Sequence, residues 1–335
     1  MMAKRILFIC PKFFGYETEI HQELVSQGHD VDMINDSPTD SGLLKGVIRL
    51  FRPLCTSYLD RTFRKKERLL CNTYDMVLIV KGEYLSKDTL QRLKSKFRES
   101  EFVYYNWDSV INSPYSLCIS TLCDRAYTFD PNDSKKYESL KLLDLFYTHK
   151  YYRDELNIGK ENYLYDVCFI GTARPGRFSV INLLSNHQEI SRLYLYIYVQ
   201  SKIKNIINKF LIRGYNNFDT KHLKYKPLTS DFIYSVFLDS KSVLDVHHPS
   251  QSGLTMRIFE CLAANKKIIT TNSAIKEYDF FNHNNVLVIN DANIVDVVEF
   301  LKLPFIPLSN KLIRKYSLRA WVSVLVGCKE RRNDK

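Results

Sequence analysis

The chain has 335 residues, roughly twice the ~150 of an average domain, so two domains are expected. With 45% hydrophobic and 25% charged residues, 11 Gly, 10 Pro and no biased tract, the composition excludes collagenous, linker-rich and largely disordered chains. The longest apolar runs, Ile6 to Cys10 and Val322 to Val326, fall far short of the ~20 residues that cross a bilayer. Met1 to Arg5 lead straight into a short strand rather than a signal peptide, so a cytoplasmic location is expected. The eight cysteines (10, 55, 71, 118, 123, 168, 261, 328) form no CxxC pair or metal-ligand spacing and read as reduced, structural thiols. The net charge of +11 is local: segments 42–70 and 201–226 each carry an excess of six positive charges, and the rest of the chain sums to about −1.

In chain order, Lys4 to Cys10 reads as a buried strand, followed by a loop from Pro11 to Tyr16 and a helical pattern through Ile20, Leu24 and Val25. Gly28 stops that helix and Val31–Ile34 is the next strand, giving a β-α-β unit. Strands are expected at Met76–Val80, Phe102–Tyr105 and Ala126–Phe129, with a helix at Lys87–Phe97. The pattern restarts at Asp166–Gly171, with a loop through Arg177 and a helix through Val180, Leu183 and Leu184. Later elements are a strand at Leu193–Val199, a helix at Ser230–Leu238, a strand at Ser242–Val246 and a helix at about Gly253–Ala264. Strands at Lys267–Thr271 and Val286–Ile289 and helices at Ile294–Leu301 and Lys311–Val326 complete the chain. The fold class expected is α/β, with two Rossmann-like domains facing a cleft. They divide as 1–155, 156–310 and a helix with a basic tail at 311–335. Ligands of such sheets collect at the carboxyl ends of the strands, which makes a nucleotide the default ligand.

No GxGxxG, Walker loop, HExxH or GxSxG occurs, which gives no support to a dinucleotide dehydrogenase, P-loop kinase, zincin or serine hydrolase. The informative stretch is Ser242 to Thr271. There a strand delivers a polar loop whose Ser252, Gly253, Leu254 and Thr255 lead into a helix N-terminus, where backbone N–H groups favour a diphosphate. Arg257 and Glu260 lie one turn apart on one face. A guanidinium neutralises phosphate and a carboxylate accepts from ribose hydroxyls, so the spacing suits a nucleotide sugar; the alternative is an exposed ion pair. Gly171, Thr172, Arg174 and Arg177 form either a phosphate-contacting loop or a plain strand-to-helix turn. His247 and His248 point to opposite sides of an extended chain, and His248 is taken as the one facing ligand.

This string of polar loop, Arg-x-x-Glu, small-residue helix end and strand ending in Thr-Thr resembles the C-terminal half of GT-B glycosyltransferases. The similarity is to bacterial polysaccharide and lipopolysaccharide enzymes and their spore-maturation-protein-like relatives. It extends weakly along the chain: Tyr165–Arg177 resembles the opening of a donor domain, and Tyr104-Tyr-Asn-Trp-Asp108 a strand-end site in an acceptor domain. The resemblance implies that Tyr225 and Lys226, in the segment ending at Leu228, contact the base. It departs from many retaining members, which carry two glutamates eight positions apart, because the partner position of Glu260 is Ser252.

A catalytic base is sought among Glu17, Glu19, His21, Glu83 and Asp108, all near strand ends of the first half. No Asp-x-Asp occurs, so metal-independent transfer without a cofactor is expected. In segment 42–70, Leu44, Val47, Ile48 and Phe51 follow helical spacing beside Lys45, Arg49 and Arg52, with Pro53 ending the helix. In 201–226, Ile203, Ile206, Ile207 and Phe210 repeat the pattern beside Lys202, Lys209 and Arg213. Either is a peripheral core helix or a face for an anionic membrane surface. No nucleic-acid motif accompanies the charge. The expected function is transfer of a sugar, a hexosyl group, from a nucleotide sugar to a glycan or lipid-linked acceptor in surface polysaccharide biosynthesis. The alternative is a catalytically silent basic protein that binds glycan or membrane on the same fold.

Overall fold

The computed structural model describes residues 2–153, 162–174, 176–202, 205, 206, 209, 215, 222–290 and 295–327. The chain forms two compact units, one of Met1–Asp144, Ser250–Gly253 and Leu318–Lys335, the other of Leu145–Pro249 and Leu254–Ser317. Leu145 onward belongs to unit 2, and both Ser250–Gly253 and the chain from Leu318 belong to unit 1. The expected helix through Ile203, Ile207, Phe210 and Arg213, the residue Cys328 and the basic tail lie outside the described residues.

Unit 1 contains β1 (Arg5–Ile9), α1 (Tyr16–Ser26), β2 (Asp30–Ile34), α2 (Gly42–Leu50), α3 (Arg52–Glu67), β3 (Met76–Val80), α4 (Lys87–Lys96), β4 (Glu101–Asn106), α5 (Ser116–Ser120), β5 (Arg125–Thr128), α6 (Pro131–Lys136) and β6 (Lys141–Leu142). Its sheet is parallel throughout in the order β2-β1-β3-β4-β5-β6. The continuous apolar runs Ile6–Ile9 and Met76–Val80 are buried, as strands covered by helices on both faces must be. Pro53 does not simply end a helix. It starts α3, where its missing N–H falls among donors that have no helical partner anyway. Ile48 leaves the expected surface stripe and packs with Leu59 and Tyr84.

Unit 2 contains β7 (Tyr165–Thr172), α7 (Arg177–Ser185), β8 (Leu193–Tyr198), β9 (Leu223–Lys224), α8 (Ser230–Leu238), β10 (Ser240–Asp245), α9 (Met256–Ala263), β11 (Lys267–Thr270), β12 (Val286–Val288), α10 (Asp296–Lys302) and α11 (Asn310–Lys315). Its parallel sheet runs β12-β11-β10-β7-β8-β9. The order reverses between β7 and β10, and in unit 1 it reverses between β1 and β3. At such a switch point neighbouring connections leave on opposite faces and open a crevice at the carboxyl ends of the strands.

The single helix expected over Lys311–Val326 is two, α11 and α12 (Leu318–Leu325). The break lies where the Tyr147 N–H donates to the Tyr316 carbonyl at 3.0 Å and residues 147 and 317 form a short parallel bridge. Helix α12 packs in unit 1, with Trp321 stacked edge-on against Tyr105 at 4.7 Å and close to Trp107 at 6.1 Å. Arg125 and Lys4 donate to the terminal carbonyls of Leu325 and Val326 at 2.7 and 2.8 Å, which caps the helix C-terminus with cations. Trp321→Ala should therefore destabilise unit 1 by about 3–5 kcal/mol through the cavity it leaves. Amide exchange in β4 and α1 under denaturant checks this; unchanged protection would show that α12 carries no share of the unit 1 core.

Candidate functional site

In unit 2 the switch point between β7 and β10 gathers the charged groups. Asp245, the last residue of β10, is 2% exposed. It accepts from the Thr255 hydroxyl at 2.9 Å, from the Thr270 hydroxyl at 3.5 Å, and lies 3.6 Å from Arg257 Nη1. Thr255 precedes α9; its hydroxyl goes to Asp245 and makes no capping hydrogen bond to that helix. Arg257 also donates to the Ile170 carbonyl, and its buried Nε meets no acceptor among the described residues. Arg177, the first residue of α7, donates to the Thr172 carbonyl and hydroxyl at 2.8 and 3.2 Å and to the Val246 carbonyl at 3.4 Å. Both guanidiniums lie over the Phe169 ring, at 5.6 and 5.8 Å.

Two cations thus stand at one strand end, and among the described residues only Arg257 is paired with the Asp245 carboxylate. Burial, followed by repulsion from Arg257 and Arg174, pushes Arg177 down to about 9. The chemical reading is an anion site: unspent positive charge, an unpartnered guanidinium N–H and an uncapped helix N-terminus at one strand end. Gly171 makes room for it, because a Cβ there would stand 3.1 Å from Arg177 Nη1 and 2.8 Å from the Phe169 ring.

Several expected site residues fall here: Gly171, Thr172, Arg174, Arg177, Thr255 and Arg257. Leu254 is 1% exposed, so only its backbone can face a ligand. Glu260 is 5% exposed and does not form the exposed ion pair of the alternative reading; the carboxylate beside Arg257 is Asp245. His247 is pinned, its N–H and Nδ1 both meeting the Thr271 hydroxyl at 3.1 and 2.7 Å, and burial lowers its pKa. His248 is half-buried. Tyr225 is 41% exposed with its hydroxyl accepting from Asn205 at 2.8 Å, while the Lys226 carbonyl accepts from Tyr196.

Ser252 and Gly253 depart from the expected diphosphate role. Segment Ser250–Gly253 belongs to unit 1, where Ser252 donates through both its N–H, at 3.0 Å, and its hydroxyl to the Asp130 carboxylate. Gln251 donates to Asp108 at 2.7 Å and Ser250 to Asn112 at 3.1 Å. Gly253 lies against the Phe129 carbonyl, where a Cβ would come within 2.4 Å of the oxygen. These residues are occupied in holding the segment.

The unit 1 switch point presents aromatic and charged groups. Phe13 and Tyr16 stand 5.4 and 5.8 Å from Trp107, Phe13 is 5.1 Å from the exposed Phe14, and Lys81 lies over Phe13 at 4.8 Å. Phe14 and Lys81 both take left-handed backbone, φ 54° and 68°, costing of order 1–3 kcal/mol each. Glu17 is buried and accepts from the Phe13 N–H at 2.8 Å; Glu19 and His21 are half-exposed farther along α1. Glu83 is committed to a turn: Arg49 forks onto both its oxygens and Lys81 stands 3.3 Å away, which together hold its carboxyl below its ordinary value despite burial. Asp108 accepts from Ser109 N–H, Asn112 and Gln251, and all three bonds fall on Oδ1. A cavity of about 570 Å³ opens beside β2, lined by polar residues such as Lys12, Asp32 and Asn35 and by apolar ones such as Ile34, Leu69 and Leu70. Asp130 and Asp245 were missed as site residues, although an acid ending an apolar strand, and Asp before Pro131, are sequence signals.

No family model and no curated protein sequence matches the chain. Solved structures do resemble it. AviGT4, a glycosyltransferase involved in avilamycin A biosynthesis, matches with TM-score 0.57 at 10% identity over 97% of this chain and 99% of that one. HepE of Anabaena in complex with UDP-glucose gives 0.54 at 13% over 96% and 95%. The lipopolysaccharide outer core galactosyltransferase WaaB gives 0.53 at 12% over 95% and 97%. The likeness establishes an α/β fold of two parallel-sheet units, the GT-B fold of these structures.

The contact of Gly253 with a backbone carbonyl gives a test of the segment's role. Gly253→Ala should cost about 1–3 kcal/mol by overpacking a site with no flexible neighbour to yield. Urea unfolding checks this, and an unaltered midpoint would show that the segment is not held against Phe129.

Proposed function

We propose that the protein is a nucleotide-sugar-dependent glycosyltransferase whose unit 2 binds the donor and whose unit 1 binds the acceptor. The carrying observation is the pair of half-buried guanidiniums over the Phe169 ring, Arg177 held by the Thr172 and Val246 oxygens and Arg257 beside Asp245, next to the N-terminus of α9. A diphosphate is the ligand that balances such a site, since it brings two negative charges and several acceptor oxygens to one strand end. Tyr225 and Lys226 are read as base contacts and Glu260 as the ribose contact. HepE is named with UDP-glucose, and a hexosyl donor of that kind is the first to test.

In the reaction, an acceptor hydroxyl oxygen bonds to the anomeric carbon while the bond from that carbon to the diphosphate oxygen breaks. The electron pair leaves with the nucleoside diphosphate, whose developing charge the two arginines and the helix N-terminus stabilise without a metal ion. The hydroxyl proton passes to a carboxylate in unit 1. We assign it to Asp108, because its hydrogen bonds all fall on Oδ1 and leave Oδ2 for substrate. The rings of Phe13, Tyr16 and Trp107 and the mixed polar and apolar cavity beside β2 suit a sugar-bearing acceptor, which combines apolar ring faces with hydroxyl groups. A glycan acceptor of a surface polysaccharide fits that surface. The narrower kinship with spore-maturation-protein-like enzymes rests on the string from the polar loop to Thr271.

Titrating the protein with UDP and UDP-glucose tests the donor site. Arg257→Ala should weaken binding about ten- to hundred-fold, the ~1.5–3 kcal/mol of a charged hydrogen bond, and turnover should survive a chelator. Unchanged affinity in the folded variant would remove the donor from this site, and activity lost with EDTA but restored by magnesium would overturn the metal-free reading.

Asp108→Asn separates chemistry from binding. It should lower kcat about 10²–10⁴-fold with donor affinity intact. A kcat within a few-fold of wild type would return the role to Glu17, Glu19 or His21.

A further inference from the structure

Helices α2 and α3 each turn one side into unit 1, through Ile48, Leu59 and Phe63, which are 1–2% exposed. Their other side should be polar in a protein surrounded by water on that face. Instead Leu44, Val47, Leu50, Phe51, Leu54 and Tyr58 are exposed, Leu50 and Leu54 by 79% and 83%. Such a concentration of large apolar side chains within one short stretch of surface marks a contact site.

The charges beside it are sorted. Of the basic residues that sequence spacing placed on this face, Arg49 is committed to Glu83, and Arg52 donates to the Glu83 and Leu85 carbonyls and stacks on Tyr115 at 3.6 Å. The acids of α3 are also spent, Asp60 on Arg64 and Arg92 and Glu67 on Arg92. Arg61, Lys65 and Arg68 remain, all exposed and with no acidic partner among the described residues. At 100° per residue, Leu54, Tyr58, Arg61, Lys65 and Arg68 fall within about 40° of one line opposite Phe63. The exposed line thus begins apolar at the α2–α3 junction and runs into unpaired cations.

We infer that this face of α2 and α3 docks on an anionic lipid bilayer, with Leu50, Phe51 and Leu54 entering the interface and Arg61, Lys65 and Arg68 lying over acidic headgroups. Charge decides the occupant. A second copy meeting the same patch would bring two sets of unpaired cations together, whereas anionic headgroups complement them and acyl chains take the leucines. The inference does not rest on the proposed transfer reaction, and vesicle binding can be read with no donor or acceptor present.

Co-sedimentation with phosphatidylcholine vesicles, with and without phosphatidylglycerol, tests it. Wild type should bind the anionic vesicles and release them as salt is raised. Each cation near the surface strengthens binding roughly five-fold, so Arg61→Gln with Lys65→Gln and Arg68→Gln should weaken it on the order of a hundred-fold. Leu50→Ser with Leu54→Ser should weaken it by roughly ten-fold or more. Arg49→Gln, altering a residue committed to Glu83, should change it little. These surface changes should leave the circular dichroism spectrum unaltered. No binding to anionic vesicles at low salt, equal binding to both vesicle types, or full binding by the folded leucine variant overturns the inference. A wild-type dimer in sedimentation velocity that the leucine variant abolishes overturns it too, and assigns the face to self-association.

Discussion

At the carboxyl end of β10 a buried aspartate meets more positive charge than it neutralises. Asp245 is fixed by the Thr255 and Thr270 hydroxyls, so it cannot swing to serve Arg177 and Arg257 equally. Arg177 is held instead by three carbonyl and hydroxyl acceptors, and burial, then the neighbouring guanidiniums, lowers its pKa. A half-buried guanidinium with no carboxylate in ion-pair reach among the described residues is costly, and backbone oxygens and the Phe169 ring bear part of the load. The remaining imbalance is a standing demand for an anion. Other features of unit 2 meet at the same edge: a glycine at 171, a Thr255 side chain that leaves its helix uncapped, and the reversal of strand order between β7 and β10.

Unit 1 places its strain at the equivalent edge. Lys81 and Gly82 are both left-handed, and a Cβ on Gly82 would stand 2.9 Å from Ile79, so this turn admits little but glycine. It is tied from outside by Arg49 and Arg52 and from inside by the Tyr84 N–H, which donates to buried Asp36 at 3.0 Å. Burial raises the Asp36 carboxyl to about 6, so at neutral pH the turn is held against a carboxylate that is costly to keep charged. Beside this turn Lys81 lies over the Phe13 ring at 4.8 Å, and Phe13 in turn packs edge-on against Trp107.

The parallel sheets were legible because buried strands write themselves as unbroken apolar runs; Met76–Val80 and Ser230–Leu238 have the expected bounds, and most other elements differ by a residue or two. The two-residue strands β6 and β9 carry no such run and were invisible. Arg257 could be read from its place after a polar loop. The roles of Ser252 and Gly253 could not, because a helix N-terminus and a segment packed against Asp130 demand the same small polar residues. The ties of Arg49 and Arg52 are hidden for a related reason: helical spacing shows which side chains share a face, but not that a loop with a glutamate at 83 lies across it.

Net charge behaves the same way in both units. Segment 42–70 owes its excess to eight basic residues, yet those that bond Glu83, Leu85, Asn35 and Ser37 are structural ties rather than field sources. What acts at a distance is the remainder, and its sign matters less than its setting. Arg61, Lys65 and Arg68 stand in water, where salt screens them within about 10 Å at 0.1 M, beside exposed leucines. Arg177 and Arg257 stand over a buried ring, where screening is weak. The first group can hold only a surface that is itself highly charged or extended, and the second can hold a small anion alone. One basic sequence therefore supplies two kinds of attraction, and burial, not charge count, separates them.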